Sequence, residues 1–135
     1  MKLSENDSLL IEAAFEAMKH SYSPYSEFKV GAAVRTTKGE VFAACNVENA
    51  SYGLSICAER AAIFRMVSAG PRKIDALAVV NPARKIVTPC GACRQVVREF
   101  ASGSCKIICS SNYRVKIFTL DKLLPASFEP SDLSE

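Results

Sequence analysis

Three cysteines have the residue type and the spacing of metal ligands. Cys90 and Cys93 form a C-x-x-C pair, and Cys57 opens another predicted helix. Residues three positions apart lie on one helical face, and the partial positive charge of a helix N-terminus stabilises thiolates. We therefore expect the three thiolates to bind one Zn²⁺ tetrahedrally and to leave its fourth position to water, as in catalytic zinc sites.

Glu59 lies two residues after Cys57, within reach of a water molecule at such a metal ion. A carboxylate in this position can move protons during metal-assisted hydrolysis. Three thiolates and one Zn²⁺ carry a net negative charge, which weakens the metal as a Lewis acid. We hypothesise that the adjacent Arg60 hydrogen-bonds a thiolate and withdraws part of this charge.

The cysteine pattern alone also permits other sites. A redox-active C-x-x-C normally follows the first strand of a βαβ unit, whereas this pair follows a third predicted strand. A structural zinc module needs a fourth protein ligand, for which Cys45 is a candidate, because the single histidine, His20, lies far from the cysteines in the first helix. We interpret Cys45, Cys105 and Cys109 as core residues.

The composition indicates one globular domain over residues 1–135. Hydrophobic residues make up 49% of the chain, which supports a core without disulfides. The net charge of +3 comes from scattered residues and argues against nucleic-acid binding. No apolar run approaches the roughly 18 residues of a membrane span. The N-terminal segment is acidic where a signal peptide is apolar, so we expect a cytoplasmic protein with reduced cysteines.

The elements that must position these residues alternate between helices and strands. Ser4 is predicted to cap the first helix in a capping box with Asp7, and Thr88 to cap the third, with Pro89 in its first turn. Helices are predicted over 4–20, 57–68, 89–101 and 121–124, and strands over 28–35, 40–45, 75–80, 105–109 and 115–119. This order predicts an α/β fold, a three-layer α-β-α sandwich with a five-stranded mixed sheet.

Sequence motifs around and beyond the three predicted zinc ligands match those of a known family. C-A-E at 57–59 and P-C-G-A-C at 89–93 match the zinc-deaminase signature. The chain further resembles the small homotetrameric cytidine deaminases, whose first ligand is cysteine, in SPYS (23–26), FKVGAA (28–33), NVENASYG (46–53) and LLPASF (123–128). The resemblance covers nearly the whole chain. It implies a cytidine deaminase-like fold, one Zn²⁺ per subunit, and hydrolysis of cytidine and deoxycytidine to uridine and deoxyuridine with release of ammonia, a reaction of pyrimidine salvage.

The same resemblance implies contacts with the nucleoside. Asn46 and Glu48 would hydrogen-bond the ribose 3′-hydroxyl, and the backbone N–H of Ala58 would contact the base carbonyl. Phe28 would pack against the pyrimidine. Glu59 would take a proton from water, deliver it to N3 of the base and later protonate the departing amine.

Two further aromatic residues are implied to act between subunits. Tyr52 and Phe128 would enter the active site of a neighbour, so that the catalytic unit would be a homotetramer with sites completed by neighbouring subunits. From the residues alone, Phe28 and Phe128 would be interpreted as ordinary core aromatics.

Three alternatives remain beside this function. A blasticidin S deaminase is a related activity, although NVENASYG favours the ordinary nucleoside. A polynucleotide deaminase requires a groove and usually a basic surface. A structural zinc module is the non-enzymatic alternative. The segment 81–88 receives no role, and Arg84 and Lys85 within it are interpreted as a solvated turn.

Overall fold

The computed structural model describes residues 2–134 as one sheet flanked by helices. The two end residues of the predicted domain, Met1 and Glu135, lie outside the described residues. The helices are α1 (Glu5–Met18), α2 (Ala58–Ala69), α3 (Gly91–Phe100) and α4 (Leu120–Leu123), and the strands are β1 (Gly31–Thr36), β2 (Val41–Cys45), β3 (Ile74–Val80), β4 (Ala101–Ser110) and β5 (Val115–Thr119). Short 3₁₀ turns cover Tyr52–Leu54 and Pro130–Leu133.

The sheet is mixed, as predicted, with the strand order β2-β1-β3-β4-β5. β3 and β4 are parallel, and the other neighbouring pairs are antiparallel. Alternate residues of each strand point to opposite faces, so the sheet buries side chains on both sides. Leu10 and Ala14 of α1 pack on one face, whereas Ile63 of α2 and Val97 of α3 pack on the other. The predicted three-layer fold is confirmed.

The direction of the strands brings two helix N-termini together. Because β2 and β3 are each antiparallel to β1, they run in the same direction, and β4 runs parallel to β3. The units β2-α2-β3 and β3-α3-β4 are therefore two successive parallel crossovers. In such units each helix returns antiparallel to its strands, so α2 and α3 begin at the same edge of the sheet, where β2 and β3 end.

Some predicted boundaries are wrong for identifiable reasons. The N-cap of α3 is Cys90 and not Thr88, because the hydroxyl of Thr88 accepts a hydrogen bond from Arg94. β1 begins at Gly31 and not at residue 28. β4 begins at Ala101, which pairs with Ile74, and not at residue 105, and it thus includes Gly103.

Gly103 has a packing role within β4. A Cβ atom at this position would lie 2.1 Å from the carboxylate of Asp121. A larger residue here would therefore require the side chain of Asp121 on α4 to move. The helix α2 leaves one face open, since Phe64 is 48% exposed.

The cysteines outside the predicted ligand set divide by burial. All six cysteines are free thiols. Cys105 and Cys109 are buried, as the core interpretation requires, whereas Cys45 is half-buried.

Within residues 2–134 no helix combines the length and the apolar character needed to cross a membrane.

A fully buried carboxylate links α1 to the sheet. Asp7 forms the predicted capping box with Ser4 and accepts hydrogen bonds from Arg35 of β1 at 3.0 Å and from Lys106 of β4 at 2.9 Å. Burial raises the pKa of Asp7, but hydrogen bonds from Ser4, Lys106 and Arg35 outweigh burial and lower the pKa to about 2. The carboxylate is therefore ionised and connects three elements.

Replacing Asp7 by Asn is expected to lower the free energy of unfolding by roughly 2–4 kcal/mol near neutral pH, because two partly buried cations lose their shared counter-charge. The pKa of Asp7 in the folded chain lies below its ordinary value of 3.8. The stabilisation is thus complete above that value and is lost as the pH falls through about 2. Urea unfolding of both proteins near neutrality and at about pH 3 measures this difference, which should shrink in acid.

Asp75→Asn is the matched control. Asp75 is 46% exposed on its side chain and, among residues 2–134, pairs with Arg35 alone, so its loss should cost less than about 1 kcal/mol. Equal destabilisation by the two substitutions would contradict the role given to Asp7.

Candidate metal centre and substrate cavity

Three thiols meet where α2 and α3 begin. Cys57 and Cys90 are the N-cap residues of these helices, and neither side chain is used as a backbone cap. Cys93 lies in the first turn of α3 and is buried. The three sulfurs all lie within 4.8 Å of one another. In residues 2–134 no other trio of histidine, cysteine or acidic side chains meets this criterion.

The donor set and its spacing fit zinc. The Sγ atoms of Cys57 and Cys90 are 3.9 Å apart. Two sulfurs bound tetrahedrally to Zn²⁺ at about 2.3 Å are separated by about 3.8 Å. Cys45, considered as a fourth ligand of a structural site, is not part of the cluster. The three thiols therefore fit a zinc site with three protein ligands.

The charge of the thiolates is partly offset by Arg60. Its Nη2 atom lies 3.5 Å from Sγ of Cys57. Hydrogen bonds from Cys93, Arg60 and Cys90 outweigh the effect of burial and together lower the pKa of Cys57 to about 5. This is the contact that the charge-withdrawal hypothesis requires, and the catalytic effect of Arg60 stays a prediction.

Glu59 is a buried carboxyl group beside the thiols. Only 5% of the residue is exposed. Burial raises the pKa of Glu59 to about 7, and the negative charge of Cys57 adds to this increase, while a hydrogen bond from its own backbone N–H opposes it. A carboxyl group with a pKa near neutrality can both accept and donate a proton.

A mostly apolar cavity of about 320 Å³ opens in front of Glu59, with a volume in the range of small-molecule sites. Ala58 also lines it and is the first residue of α2, where backbone N–H groups have no partner within the helix. The wall residues Asn81, Val87 and Thr88 had no assigned role in the site, because the segment 81–88 received none and Thr88 was predicted only as a helix cap. The apolar wall residues are Phe28, Val30, Ile56, Val79, Val80 and Val87, and the polar ones are Ser26, Asn46, Glu48, Ser55, Asn81 and Thr88.

Asn46 lies at the cavity wall, and its side-chain amide also hydrogen-bonds the backbone of the segment that carries Phe28. Its Oδ1 atom accepts hydrogen bonds from the backbone N–H of Val30 at 3.0 Å and from the hydroxyl of Ser21. Its Nδ2 atom donates to the carbonyl of Phe28 at 2.9 Å. These bonds replace strand pairing at 28–30 and explain why β1 begins later than predicted. One N–H of the amide remains for a ligand.

Glu48 fixes the preceding turn in the same way. Its carboxylate accepts from the backbone N–H groups of Tyr25 and Ser26 and from the hydroxyl of Ser26. Hydrogen bonds from Ser26 and Tyr25 lower the pKa of Glu48, which keeps it an ionised acceptor. The sequence did not indicate these positioning contacts, because they join residues more than twenty positions apart.

Tyr52 and Phe128 do not line the cavity of their own chain. Tyr52 is 75% exposed and Phe128 is 56% exposed. The ring of Tyr52 lies edge-on to that of Tyr25, with centroids 5.8 Å apart.

In the segment 81–88, Arg84 and Lys85 are exposed as interpreted, and Arg84 also lies 5.1 Å from the ring centroid of Tyr113.

The chain is similar to known proteins over most of its length. Residues 4–109 match the family model described as the cytidine and deoxycytidylate deaminase zinc-binding region. A cytidine deaminase of Sporosarcina psychrophila is 44% identical over 93% of each chain, and one of Halalkalibacterium halodurans is 41% identical over 94% of this chain and 97% of its own length. The crystal structure of cytidine deaminase from Burkholderia pseudomallei superimposes with a TM-score of 0.86 at 44% identity, covering 93% of this chain and 100% of that one.

Arg60→Gln is expected to keep the zinc and to slow turnover by roughly 10–100-fold, because the thiolates then retain more negative charge and weaken the metal as a Lewis acid. Zinc analysis and steady-state kinetics of the same preparation measure the two quantities. Arg60→Lys, which retains a positive charge near Cys57, should recover part of the rate. Unchanged turnover in Arg60→Gln would remove the hypothesis.

Proposed function

Because this chain belongs to the cytidine and deoxycytidylate deaminase family, we propose that it catalyses the zinc-dependent hydrolytic deamination of cytidine and deoxycytidine to uridine and deoxyuridine. The observation that carries the proposal is the position of one buried carboxyl group, Glu59, between three clustered thiols and an apolar cavity. This arrangement supports hydrolysis, since a purely structural zinc site has no use for an ionisable side chain buried beside it.

Cys57, Cys90 and Cys93 would hold the zinc, which would supply a nucleophile by lowering the pKa of a water molecule. Glu59 accepts a proton from the attacking water and passes it to N3 of the pyrimidine. As oxygen bonds to C4, Glu59 takes the second proton of that water and delivers it to the 4-amino group. The C4–N bond then breaks, ammonia leaves, and the base retains the proton at N3.

The cavity walls favour an uncharged nucleoside. Their residues include no lysine or arginine in the described part of the chain, and Glu48 and Glu59 add negative charge. A 5′-phosphate would therefore meet no counter-charge. The backbone N–H of Ala58 is proposed to donate to the base carbonyl and Phe28 to pack against the ring. Asn46 and Glu48 bind the 3′-hydroxyl.

We propose that the active unit is a homotetramer. Tyr52 and Phe128 are large aromatic side chains left mostly exposed, and such surfaces are typical of association sites. Each would complete the cavity of a neighbouring subunit. We further propose that the enzyme acts in the cytoplasm in pyrimidine salvage, where a reducing environment keeps the ligand thiols available to zinc.

A blasticidin S deaminase from Bacillus cereus is a more distant relative, 29% identical over 93% of this chain and 94% of its own length. Assays with blasticidin S beside cytidine and deoxycytidine distinguish the two substrate classes. We expect the ordinary nucleosides to be turned over faster.

Glu59→Gln is expected to reduce deamination by at least roughly 10²–10⁴-fold, because the amide cannot transfer protons. Its zinc content should equal that of the wild type. The loss of cytidine absorbance in the ultraviolet and metal analysis check the two statements. The exposed carboxylate of Glu99 on α3 provides the control, since Glu99→Gln should leave the rate unchanged. A wild-type protein that contains zinc but leaves cytidine intact would contradict the enzymatic proposal.

Asn46→Ala separates binding of the ribose from positioning of Phe28. With cytidine we expect kcat/KM to fall by about tenfold or more, the cost of the lost hydrogen bonds. A substrate that lacks the 3′-hydroxyl, 3′-deoxycytidine, removes the ribose contact from both proteins. If Asn46 also positions Phe28, the variant remains slower than the wild type on this substrate.

Ser21→Ala is the companion variant, because Ser21 touches Asn46 but does not line the cavity. It should show a smaller decrease on both substrates. Equal rates of Asn46→Ala and wild type on 3′-deoxycytidine would restrict Asn46 to ribose binding.

A further inference from the structure

Cys90 is the ligand with the least support from regular structure. It follows the segment 81–89, which contains neither helix nor strand, and it is the exposed member of the trio, whereas Cys93 is buried within a helical turn. The residue before it, Pro89, has no backbone N–H, so its carbonyl is the only polar backbone group that can anchor it. Something outside this segment must hold Cys90 in place.

The guanidinium of Arg94 provides this anchor. Its Nε atom donates to the carbonyl of Pro89 at 2.8 Å, and its Nη2 atom donates to the hydroxyl of Thr88 at 2.9 Å. Its Nη1 atom donates to the carbonyl of Leu123, at the end of α4, at 2.7 Å. The planar fork of one half-buried side chain thus joins the segment before Cys90 to a separate element.

These bonds determine the direction of the Cys90 side chain. The carbonyl of Pro89 belongs to the peptide plane that ends at the N–H of Cys90, and the proline ring fixes the preceding dihedral angle. Fixing that carbonyl therefore fixes the plane from which the Cα–Cβ bond of Cys90 projects. We propose that Arg94 is a positioning residue that holds the thiol of Cys90 in place for zinc.

The inference rests on the zinc site of the proposed function and concerns how long the metal stays bound. Groups that orient metal ligands typically contribute 10–100-fold to metal affinity. Without Arg94, the Pro89 carbonyl and the Thr88 hydroxyl lose their partner, and the segment can rotate Cys90 away from the other two sulfurs. Faster release of zinc should follow.

Arg98 is a matched control on the same helix. It also holds the C-terminal segment, through Ser127 at 3.2 Å and an ion pair with Glu129. It further donates to the carbonyl of Ala101. Its partners do not flank a zinc ligand. A substitution of Arg98 therefore loosens the contact of α3 with the end of the chain without acting on Cys90.

The experiment measures zinc release from the full-length zinc-loaded protein to an excess of a chromogenic chelator. Arg94→Lys keeps the charge but loses the fork, and we expect release to be about tenfold faster or more. Arg98→Lys should release zinc at the wild-type rate. Cobalt substitution adds a spectroscopic test, because the thiolate-to-cobalt absorption should change in Arg94→Lys and stay unchanged in Arg98→Lys.

Two outcomes would overturn the proposal. One is wild-type zinc release in Arg94→Lys, and the other is equal acceleration in both variants, which would indicate general loosening of α3. Thr88→Val, which removes one acceptor of Arg94, should give a smaller acceleration and serves if Arg94→Lys does not fold. No acceleration in that variant would then count against the proposal. A wild-type protein that binds no zinc would contradict the proposed function itself, and the zinc content measured beforehand identifies that case.

Discussion

The shared direction of β2, β3 and β4 is the constraint on which the site depends. Two consecutive crossovers in the same sense place the first turns of α2 and α3 at one edge of the sheet. Each helix N-terminus contributes partial positive charge, and the negative charge of the ligands and of the incoming nucleophile gathers where these two ends converge. An antiparallel arrangement of the same strands would send one helix to the opposite edge and separate Cys57 from Cys90. The cysteines of the sequence motif can therefore bind one metal ion only because the sheet topology brings them together.

Around this edge of the sheet, polar side chains hold irregular backbone segments in place through hydrogen bonds. Asn46, Glu48 and Arg94 each bind main-chain groups of a segment that has no regular partner of its own. Backbone strain accompanies them, since Glu27, directly before Phe28, has a φ of 58°, and Ala126, two residues before Phe128, has a φ of 49°. Non-glycine residues adopt such angles only when their surroundings hold them there. The aromatic side chains of the proposed site thus extend from held segments and not from the sheet itself.

The sequence predicted what depends on local pattern. Apolar periodicity located the helices and strands, and the spacing of Cys57, Cys90 and Cys93 predicted the cluster of thiols that the structure contains. Two of the boundary errors share a cause, namely hydrogen bonds made by side chains. The hydroxyl of Thr88, predicted to cap α3, accepts a hydrogen bond from Arg94. The backbone N–H of Val30, predicted to pair within β1, donates to the side chain of Asn46. Contacts of side chains with groups distant in the sequence leave no periodic trace, so the links of Asp7 to Arg35 and Lys106 and of Arg94 to Leu123 were also invisible in the sequence. The catalytic and substrate-binding roles remain predictions.

The distance between the two ligand helices along the chain has one more consequence. Cys57 and Cys90 are 33 positions apart, with all of β3 between them. A metal bound to both closes a loop of that length, and closing a loop restricts the unfolded chain much as a covalent crosslink does. Since the ion binds the folded arrangement, its binding free energy also contributes to folding. A zinc ion held by these cysteines would therefore also crosslink the fold, and a chelator that removes it is expected to lower the free energy of unfolding.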